Sequence, residues 1–433
     1  MTIADVTTAP PRWGTRQPPA RPPTLGQDER ASARRLPLVL AAAAVVALPV
    51  TEPRGPGNLG PADLFIVAAI AAWLFSAATN GEKLRFPYAL GIGLLMAGGA
   101  IGGLAGPLPV AALLALVQDL LLLAWCWTLV NVCRTPDEAR VVLRTWVYSS
   151  ITWAGLLFVG LAAGAPVLTG QIPTEGSRTA LTFGDPNVCA NYFFISLALI
   201  WATGRPRRRS VRLLVSVVMI AAMVTTGSNS GLVSLAVGLS GALVFGAYRR
   251  SGLIPALAAT ACLLVAAAMG MSTISLHSIQ RRAYTSGYAV LRDGIGRGQA
   301  SVTERSKVLS ESLKLYADGG PLGEGPVSTK PRMEAAMAPY PKEAHDDYFA
   351  ALLERGIVGT VGLVILISGL LVRTGSLLRR GVEPLGGLLR APQALAAGVA
   401  GTMTTMAVYE LLHVRHVLGL FAIVACAAAW ERR

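Results

Sequence analysis

Long apolar stretches that carry almost no charge constrain this chain more than any other feature. Residues 187–204 contain no charged side chain, and residues 110–131 contain only Asp119. As α-helices, stretches of this length cross a hydrocarbon layer of about 30 Å. Several more such stretches follow along the chain. The chain is therefore expected to be an all-α, polytopic membrane protein.

Composition excludes the other broad classes of protein. Only 14% of the residues are charged, whereas soluble domains carry roughly 25%. That is too little charge to cover a water-facing surface, which excludes a soluble enzyme, a disordered chain and a coiled coil. The net charge of +14 comes mostly from basic stretches between the apolar segments, where positive charge orients membrane helices. No nucleic-acid partner is expected.

The apolar segments predict about twelve membrane spans in one membrane domain, residues 34–433. A tail at residues 1–33, rich in Pro, Arg and Thr, is expected to be disordered. The spans are predicted near residues 36–50, 62–79, 87–105, 109–132, 144–164, 186–203, 211–227, 230–247, 252–271, 346–372, 393–411 and 414–430. The tight hairpin after Thr226 leaves open that one of its flanking spans is re-entrant.

The basic residues assign the two sides of the membrane. With the N-terminus inside, the cytoplasmic connections hold 24 of the 38 Lys and Arg residues, and the short outward connections hold only Arg54, Arg178 and Arg415. An excess of Lys and Arg marks the cytoplasmic side. Both termini are therefore expected in the cytoplasm. A partly helical loop at residues 272–345 is expected to face outward, with an amphipathic helix near residues 301–317.

A His, two carboxylates and a Tyr stand where the long loop becomes a helix. They are His345, Asp346, Asp347 and Tyr348. Acidic side chains are favoured in a first helical turn by the helix dipole, and an imidazole beside a carboxylate is suited to act as a general base near neutral pH. The alternative is an ordinary helix start with an aromatic residue at the membrane interface.

Two earlier segments are further candidates for a site. Arg178, the only basic residue in its outward loop, can pair with a phosphate through a bidentate fork or lie among lipid headgroups. Asn187 lies in the helix that Asp185 is expected to cap. It either contributes to a binding site or packs as a polar residue between helices. The hairpin at residues 225–231, with Ser228 and Asn229, either binds a polar ligand or forms only a tight turn.

The sequence favours no metal centre. Glu410, His413 and His416 are spaced three residues apart, which allows a metal site, but no fourth ligand accompanies them. The five cysteines show no metal-ligand spacing, and none lies in the long loop, so no disulfide framework is indicated. No Walker-type phosphate loop and no Asp-x-Asp nucleotide-sugar string is present. Neither a metal nor another cofactor is expected.

Four elements, in order, resemble the O-antigen ligase and O-antigen polymerase superfamily of integral-membrane bacterial glycosyltransferases. Residues 178–192 resemble its element of Arg, a Gly, Pro-Asn and Ala-x-Tyr, and residues 226–231 resemble its Thr-Gly-Ser-Arg-x-Gly hairpin. Arg305 with residues 321–326 resembles its Arg followed by Pro-Leu-hydrophobic-Gly-x-Gly. Residues 344–359 resemble its signature of His-Asn-x-Tyr-Leu and Glu-x-Gly-hydrophobic-hydrophobic-Gly. The resemblance covers roughly residues 86–430.

This resemblance implies an inverting glycosyltransferase of the bacterial inner membrane that needs no metal. It would take a glycan from an outward-facing polyprenyl diphosphate carrier and join it to a hydroxyl of a glycan, lipid or protein acceptor. The resemblance also implies roles for individual residues: His345 as general base, Arg178 and Arg305 as the donor diphosphate site, and Asp347, Tyr348, Asn187, Ser228 and Asn229 as supporting residues.

Two positions depart from the family pattern. Asn229 stands where the family usually has Arg, which removes a cation from the expected diphosphate site. Asp346 stands where Asn is usual, and its carboxylate would favour the protonated form of a neighbouring imidazole. Other functions remain open: a polymerase of glycan repeat units, a transporter or flippase of lipid-linked sugars, and a non-catalytic scaffold for envelope assembly.

Overall fold

The computed structural model describes residues 26–55, 59–171, 176–273, 275–294, 296, 298–338, 346–379 and 387–431. Within these ranges the regular structure is helical, as the sequence predicts. The helices are α1 (Gly26–Ala47), α2 (Pro61–Asn80), α3 (Ala89–Ala105), α4 (Pro109–Val132), α5 (Pro136–Ala163), α6 (Pro166–Thr169), α7 (Pro186–Thr203), α8 (Arg209–Thr225), α9 (Asn229–Ser251), α10 (Leu253–Thr273), α11 (Leu276–Tyr284), α12 (Ala289–Asp293), α13 (Gly298–Gly319), α14 (Thr329–Ala335), α15 (Asp347–Leu377), α16 (Pro392–Met406) and α17 (Arg415–Glu431).

Each predicted membrane span coincides with a helix of this series. Seven helices are long and apolar enough to cross a membrane, namely α2, α4, α5, α7, α9, α10 and α15. Shorter apolar stretches lie in α1, α3 and α17. Helices α8 and α16, which coincide with two of the predicted spans, belong to neither of these two groups. The number of twelve spans therefore stays a prediction. The all-helical membrane architecture is confirmed.

Helix α1 begins at Gly26, inside the segment predicted to be a disordered tail. The segment from Gln27 to Arg35 contains Glu, Ala and Arg, which are good helix formers, and they extend the first helix toward the N-terminus. The rest of the predicted tail, residues 1–25, lies outside the described residues. In the long loop, α13 confirms the helix that the sequence predicts near residues 301–317.

Helix α7 lies at the centre of the bundle, and α10 lies at its edge. Most side chains of α7 are buried, including the rings of Tyr192 and Phe193. By contrast, α10 exposes large apolar side chains such as Ile254 and Leu264. A contiguous apolar surface of this kind is rare on soluble monomers, and the hydrocarbon layer of a membrane is its natural environment.

Helices α3 and α15 pack with their backbones in contact, because glycines line both faces. A Cβ atom added at Gly98 would lie 2.4 Å from the backbone nitrogen of Gly359. One added at Gly362 would lie 2.5 Å from the backbone nitrogen of Leu95. Small residues allow such close approach between membrane helices. This packing fixes the first half of α15, which contains most of the signature at residues 344–359.

The connections fall at two ends of the bundle in the alternation that the charge pattern requires. At one end, which we call the motif end (residues 48–55, 176–185, 226–228 and 407–414), Thr51 Oγ1 donates to the Thr182 carbonyl at 2.5 Å. At the opposite end, Asn131 Nδ2 donates to the Arg85 carbonyl at 2.8 Å. Connections predicted to be outward therefore share one end; the side of the membrane that this end faces stays a prediction.

Candidate active site

Arg178 lies against the hairpin that joins α8 to α9. Its Nε donates to the Thr226 carbonyl at 2.9 Å, and the neighbouring Thr179 N–H donates to the Thr225 carbonyl at 3.1 Å. Gly227 has φ 59°, and a Cβ there would lie 3.2 Å from Arg178 Cγ. Glycine therefore leaves room for the half-buried Arg178 side chain, and the first two predicted motifs meet.

Asn187 and Ser228 join α7 to the start of α9. Asn187 Oδ1 accepts hydrogen bonds from Ser228 Oγ at 2.8 Å and from Ser230 Oγ at 3.4 Å. Ser228 Oγ also accepts from the Gly231 N–H at 3.1 Å and so caps α9. Asn229, the residue that replaces the family's Arg, is half-buried as the first residue of this helix. These contacts support a role for Asn187 in polar packing between helices.

Asp347 binds the turn between α16 and α17. Its carboxylate accepts hydrogen bonds from the Leu411 N–H at 2.7 Å and the Leu412 N–H at 3.1 Å, and the side chain is buried. The next residue, Tyr348, donates its hydroxyl to the Met403 carbonyl at 3.1 Å. Both predicted supporting residues thus bond to the backbone of the α16–α17 region and fix the start of α15 against it.

The α16–α17 turn also reaches the first motif. The Tyr409 hydroxyl donates to the Asp185 carboxylate at 2.6 Å. The other carboxylate oxygen of Asp185 accepts from the N–H groups of Asn187 and Val188 and caps α7, as the sequence predicts. One turn, held by Asp347 and by Asp185, therefore links the signature at the start of α15 to the motif at the start of α7.

The predicted general base, His345, lies outside the described residues. Its neighbour Asp346 caps α15 by accepting from the Tyr348 N–H at 2.8 Å and the Phe349 N–H at 3.2 Å. Arg305 lies in α13, and its side chain is also outside the described part. The arrangement of His345 with Arg178 and Arg305 stays a prediction.

A cavity of about 510 Å³ lies at the motif end. Its wall combines residues of α2, α4, α7, α15 and α17 with the turn that carries Tyr409, Glu410 and His413. Cavities that bind small molecules measure about 300–1,000 Å³, so this one is large enough for a sugar unit. None of the predicted site residues that the structure describes lines this cavity. The lining residues Asp185 and Val188 lie close to one of them, Asn187, in the sequence.

Two ion pairs cross this cavity wall. Arg415 at the start of α17 binds both carboxylate oxygens of Asp63 in α2, with Nε to Oδ1 at 2.7 Å. Arg355 in α15 binds Asp119 in α4. Charges within a membrane bundle are costly unless they are paired, and they usually mark a function. The sequence indicates the second pair only through Asp119, which is the one charged residue in the apolar stretch at residues 110–131.

His416 lies in the cavity wall with one unpaired ring nitrogen. Its side chain is fully buried, and Nε2 is 3.1 Å from Asn191 Oδ1. Nδ1 has no hydrogen-bond partner among the described atoms. Within the described ranges no three His, Cys, Asp or Glu side chains are grouped to hold a metal ion. The metal alternative for Glu410, His413 and His416 therefore has no support in this structure.

The turn at residues 321–326 docks on a break in α15. At Gly356 the helix has φ 61°, and the Ile357 N–H donates to the Pro321 carbonyl at 2.9 Å instead of continuing the helical pattern. The Gly325 N–H in turn donates to the Glu354 carbonyl at 2.9 Å. A Cβ at Gly356 would lie 2.4 Å from the carbonyl carbon of Leu322, so only glycine allows the turn to approach this closely.

Glu354 completes this docking. Its carboxylate accepts from the Val327 N–H at 3.1 Å and from Thr329 Oγ1 at 2.8 Å. In the sequence, this turn is part of one of the four elements that resemble the superfamily, and the structure shows what it contacts. The Glu and Gly of the family signature thus hold the long loop against the membrane bundle.

One family model matches part of the chain. Residues 214–364 match the family model for O-antigen ligase, which spans the hairpin, the long loop and the first half of α15. No curated protein matches the chain. The family match covers about a third of the chain and supports the superfamily that the motifs predict.

Proposed function

We propose that this protein transfers a glycan from a polyprenyl diphosphate carrier to a hydroxyl of an acceptor. The family match supports a membrane glycosyltransferase of the O-antigen ligase and polymerase type. The observation that carries the proposal is the meeting of distant motifs at one end of the bundle. Hydrogen bonds join Arg178 to Thr226, Asn187 to Ser228, and Asp347 to Leu411.

In the proposed reaction, His345 removes the proton from the acceptor hydroxyl. The hydroxyl oxygen attacks the anomeric carbon of the donor sugar from the face opposite the carrier, so the configuration inverts. The bond between the anomeric carbon and the diphosphate oxygen breaks, and the carrier diphosphate leaves with that electron pair. The proton remains on the imidazole until solvent removes it.

Arg178 and Arg305 would stabilise the charge that develops on the leaving diphosphate. Arginine suits this task because its planar fork matches phosphate oxygens and stays charged near lipid. The contact between Arg178 Nε and the Thr226 carbonyl supports this role, since it fixes the orientation of the guanidinium. The missing cation at Asn229 places a larger share of the charge on Arg178.

The cavity at the motif end would hold sugar residues of the glycan substrates. Its wall offers carboxylates, guanidinium groups and the Tyr409 hydroxyl, which are suited to bond with sugar hydroxyls. The α16–α17 turn forms part of this wall and is also bound by Asp347, two residues after His345 in the chain. A glycan in the cavity would therefore lie beside the signature that contains the proposed base.

The test is to replace His345 in the native host and to analyse the glycans. We expect His345→Ala to abolish the mature envelope glycan and to accumulate the lipid-linked donor, as measured by mass spectrometry. His277→Ala is the matched control, because His277 is an exposed imidazole in α11 of the same loop. It should leave the glycan unchanged. A normal glycan in the His345→Ala strain, with the protein present in the membrane, would refute the proposed base.

The same mass spectrometry, applied to a strain in which the gene is deleted, separates a ligase from a polymerase. The family match supports a glycosyltransferase of either type. A ligase whose gene is deleted leaves full-length glycan on the carrier. A polymerase whose gene is deleted leaves single repeat units on the carrier. We propose the ligase, so we expect the full-length form.

A further inference from the structure

A pocket lined by arginines lies at the end of the bundle opposite the motif end. Its volume is about 150 Å³, and we call it the arginine pocket: Arg140, Arg205, Arg207 and Arg390, with the backbone of Gly204. Arg140 belongs to the first turns of α5, Arg205 and Arg207 to the α7–α8 connection, and Arg390 to the residues before α16. Three separate segments thus contribute arginines to the lining of one recess.

The backbone of the pocket is anchored to α7. The Arg205 N–H donates to the Ile200 carbonyl at 3.1 Å, and the Ala391 N–H donates to the Ala202 carbonyl at 3.0 Å. Gly204 ends α7 with φ 65°, and a Cβ there would lie 2.7 Å from Arg390 Cδ. The stem of Arg390 therefore packs directly on this glycine. The pocket is organised by the bundle itself and does not depend on a ligand to assemble it.

Within the described part of the chain, most of the charge of the pocket has no acidic partner. Arg140 pairs with Asp137 on the exposed face of α5. Among the described residues Arg205, Arg207 and Arg390 form no ion pair, and no acidic side chain lines the recess. Like charges that line one recess repel one another, and a bound anion relieves the repulsion. Guanidinium groups that converge from several directions are suited to the oxygens of a phosphate group.

We propose that the arginine pocket binds the phosphate of an anionic phospholipid headgroup. The pocket lies where α7 ends and where α8 and α16 begin, which places it at the headgroup level of a membrane-spanning bundle. The charge pattern of the sequence predicts this end to be cytoplasmic, and the cytoplasmic leaflet is the one rich in anionic lipid. The proposal does not depend on the glycosyl transfer at the other end.

The test uses the full-length protein, purified in detergent, with phosphatidylglycerol as the probe. We expect native mass spectrometry to show that phosphatidylglycerol stays bound and that zwitterionic phosphatidylcholine does not. Arg205→Ala with Arg390→Ala should weaken binding by about tenfold or more. Arg208→Ala with Arg209→Ala is the matched control, since it removes the same charge from exposed residues of the same connection that do not line the pocket. It should bind like the unchanged protein.

Four results would overturn the proposal: equal losses in the pocket and control variants, equal retention of the two lipids, equal stabilisation by phosphatidylglycerol and by inorganic phosphate, or full binding by the Arg205→Lys, Arg390→Lys variant. The last would show that charge alone is sufficient and that the guanidinium fork has no part. Melting temperatures without lipid check that all variants fold. Melting temperatures with phosphatidylglycerol and with sodium phosphate, at matched ionic strength, distinguish a lipid headgroup from a free phosphate ion. Stabilisation by phosphatidylglycerol alone assigns the pocket to the headgroup, and equal stabilisation by inorganic phosphate assigns it to the free anion.

Discussion

Arg355 forms an ion pair with Asp119 across the interior of the bundle, and it does so from the break in α15. Both side chains are mostly buried, with 18% of each exposed. The pair connects α4 with the segment on which the turn at residues 321–326 docks. It therefore links the position of the long loop to the cavity at the motif end.

We expect Asp119→Ala to destabilise the protein by about 3 kcal/mol, because it leaves the Arg355 guanidinium buried without its carboxylate. The double variant Asp119→Leu, Arg355→Met removes both charges and should recover most of that loss. Thermal melting of the purified protein in detergent measures both effects. If the Asp119→Ala variant were as stable as the original protein, the prediction would be wrong, because water would then solvate the Arg355 guanidinium without the carboxylate.

Asp347→Ala should destabilise the protein by about 2–3 kcal/mol, because it leaves the N–H groups of Leu411 and Leu412 without an acceptor. The neighbouring Asp346→Ala removes only a helix cap and should cost about 1 kcal/mol. Melting curves of the two variants measure the difference. Equal losses would contradict the specific role of Asp347 in holding the α16–α17 turn.

Gly356→Ala should prevent the turn at residues 321–326 from docking, since the added Cβ would lie 2.4 Å from the carbonyl carbon of Leu322 at a positive φ. Gly375→Ala, in the same helix, meets no atom within 4 Å and should be neutral or slightly stabilising. Limited proteolysis of the long loop reports docking. Faster cleavage is expected for Gly356→Ala only, and equal rates in the two variants would contradict the docking role.

The contact between Asp293 and Ser177 should be sensitive to acid. The neighbouring guanidinium of Arg292 and the hydrogen bonds from Ser177 hold the pKa of the Asp293 carboxyl well below its usual range. A carboxyl whose pKa is lowered in the folded state contributes its full stabilisation above its unfolded pKa of about 4, and this contribution is lost as the pH falls through the lower folded-state pKa. Asp293→Asn should therefore lower the melting temperature most at pH 6 and clearly less at pH 2. An equal effect at both pH values would disprove the ionic contribution.

Some of the candidate site could be predicted from the sequence because its signals are local. Asp185 before Pro186 predicts the cap of α7, and the amphipathic pattern near residues 301–317 predicts α13. Arg178 was likewise assigned to a polar site, and it does contact the predicted hairpin. Each of these signals depends on residues within one or two helical turns, or on a short motif.

Partners that are distant in sequence could not be predicted in this way. The resemblance implies that Asp347 is a supporting residue of the site, whereas its described partners are backbone groups 64 and 65 residues away. Nothing in the chain between Asp119 and Arg355 indicates that these two charges, 236 residues apart, form a pair. Sequence patterns report burial and charge but not which buried charges meet.

The amino-acid sequence by itself determined that this chain is an all-helical membrane protein and where most of its helices begin, because apolar runs and helix caps are properties of neighbouring residues. The tertiary structure alone decided that the α16–α17 turn joins two motifs, that α15 breaks to receive the long loop, and that a charged cavity lies beside them. These features depend on the packing of helices far apart in the chain, and the requirement to pair every buried charge and backbone N–H selects among such arrangements.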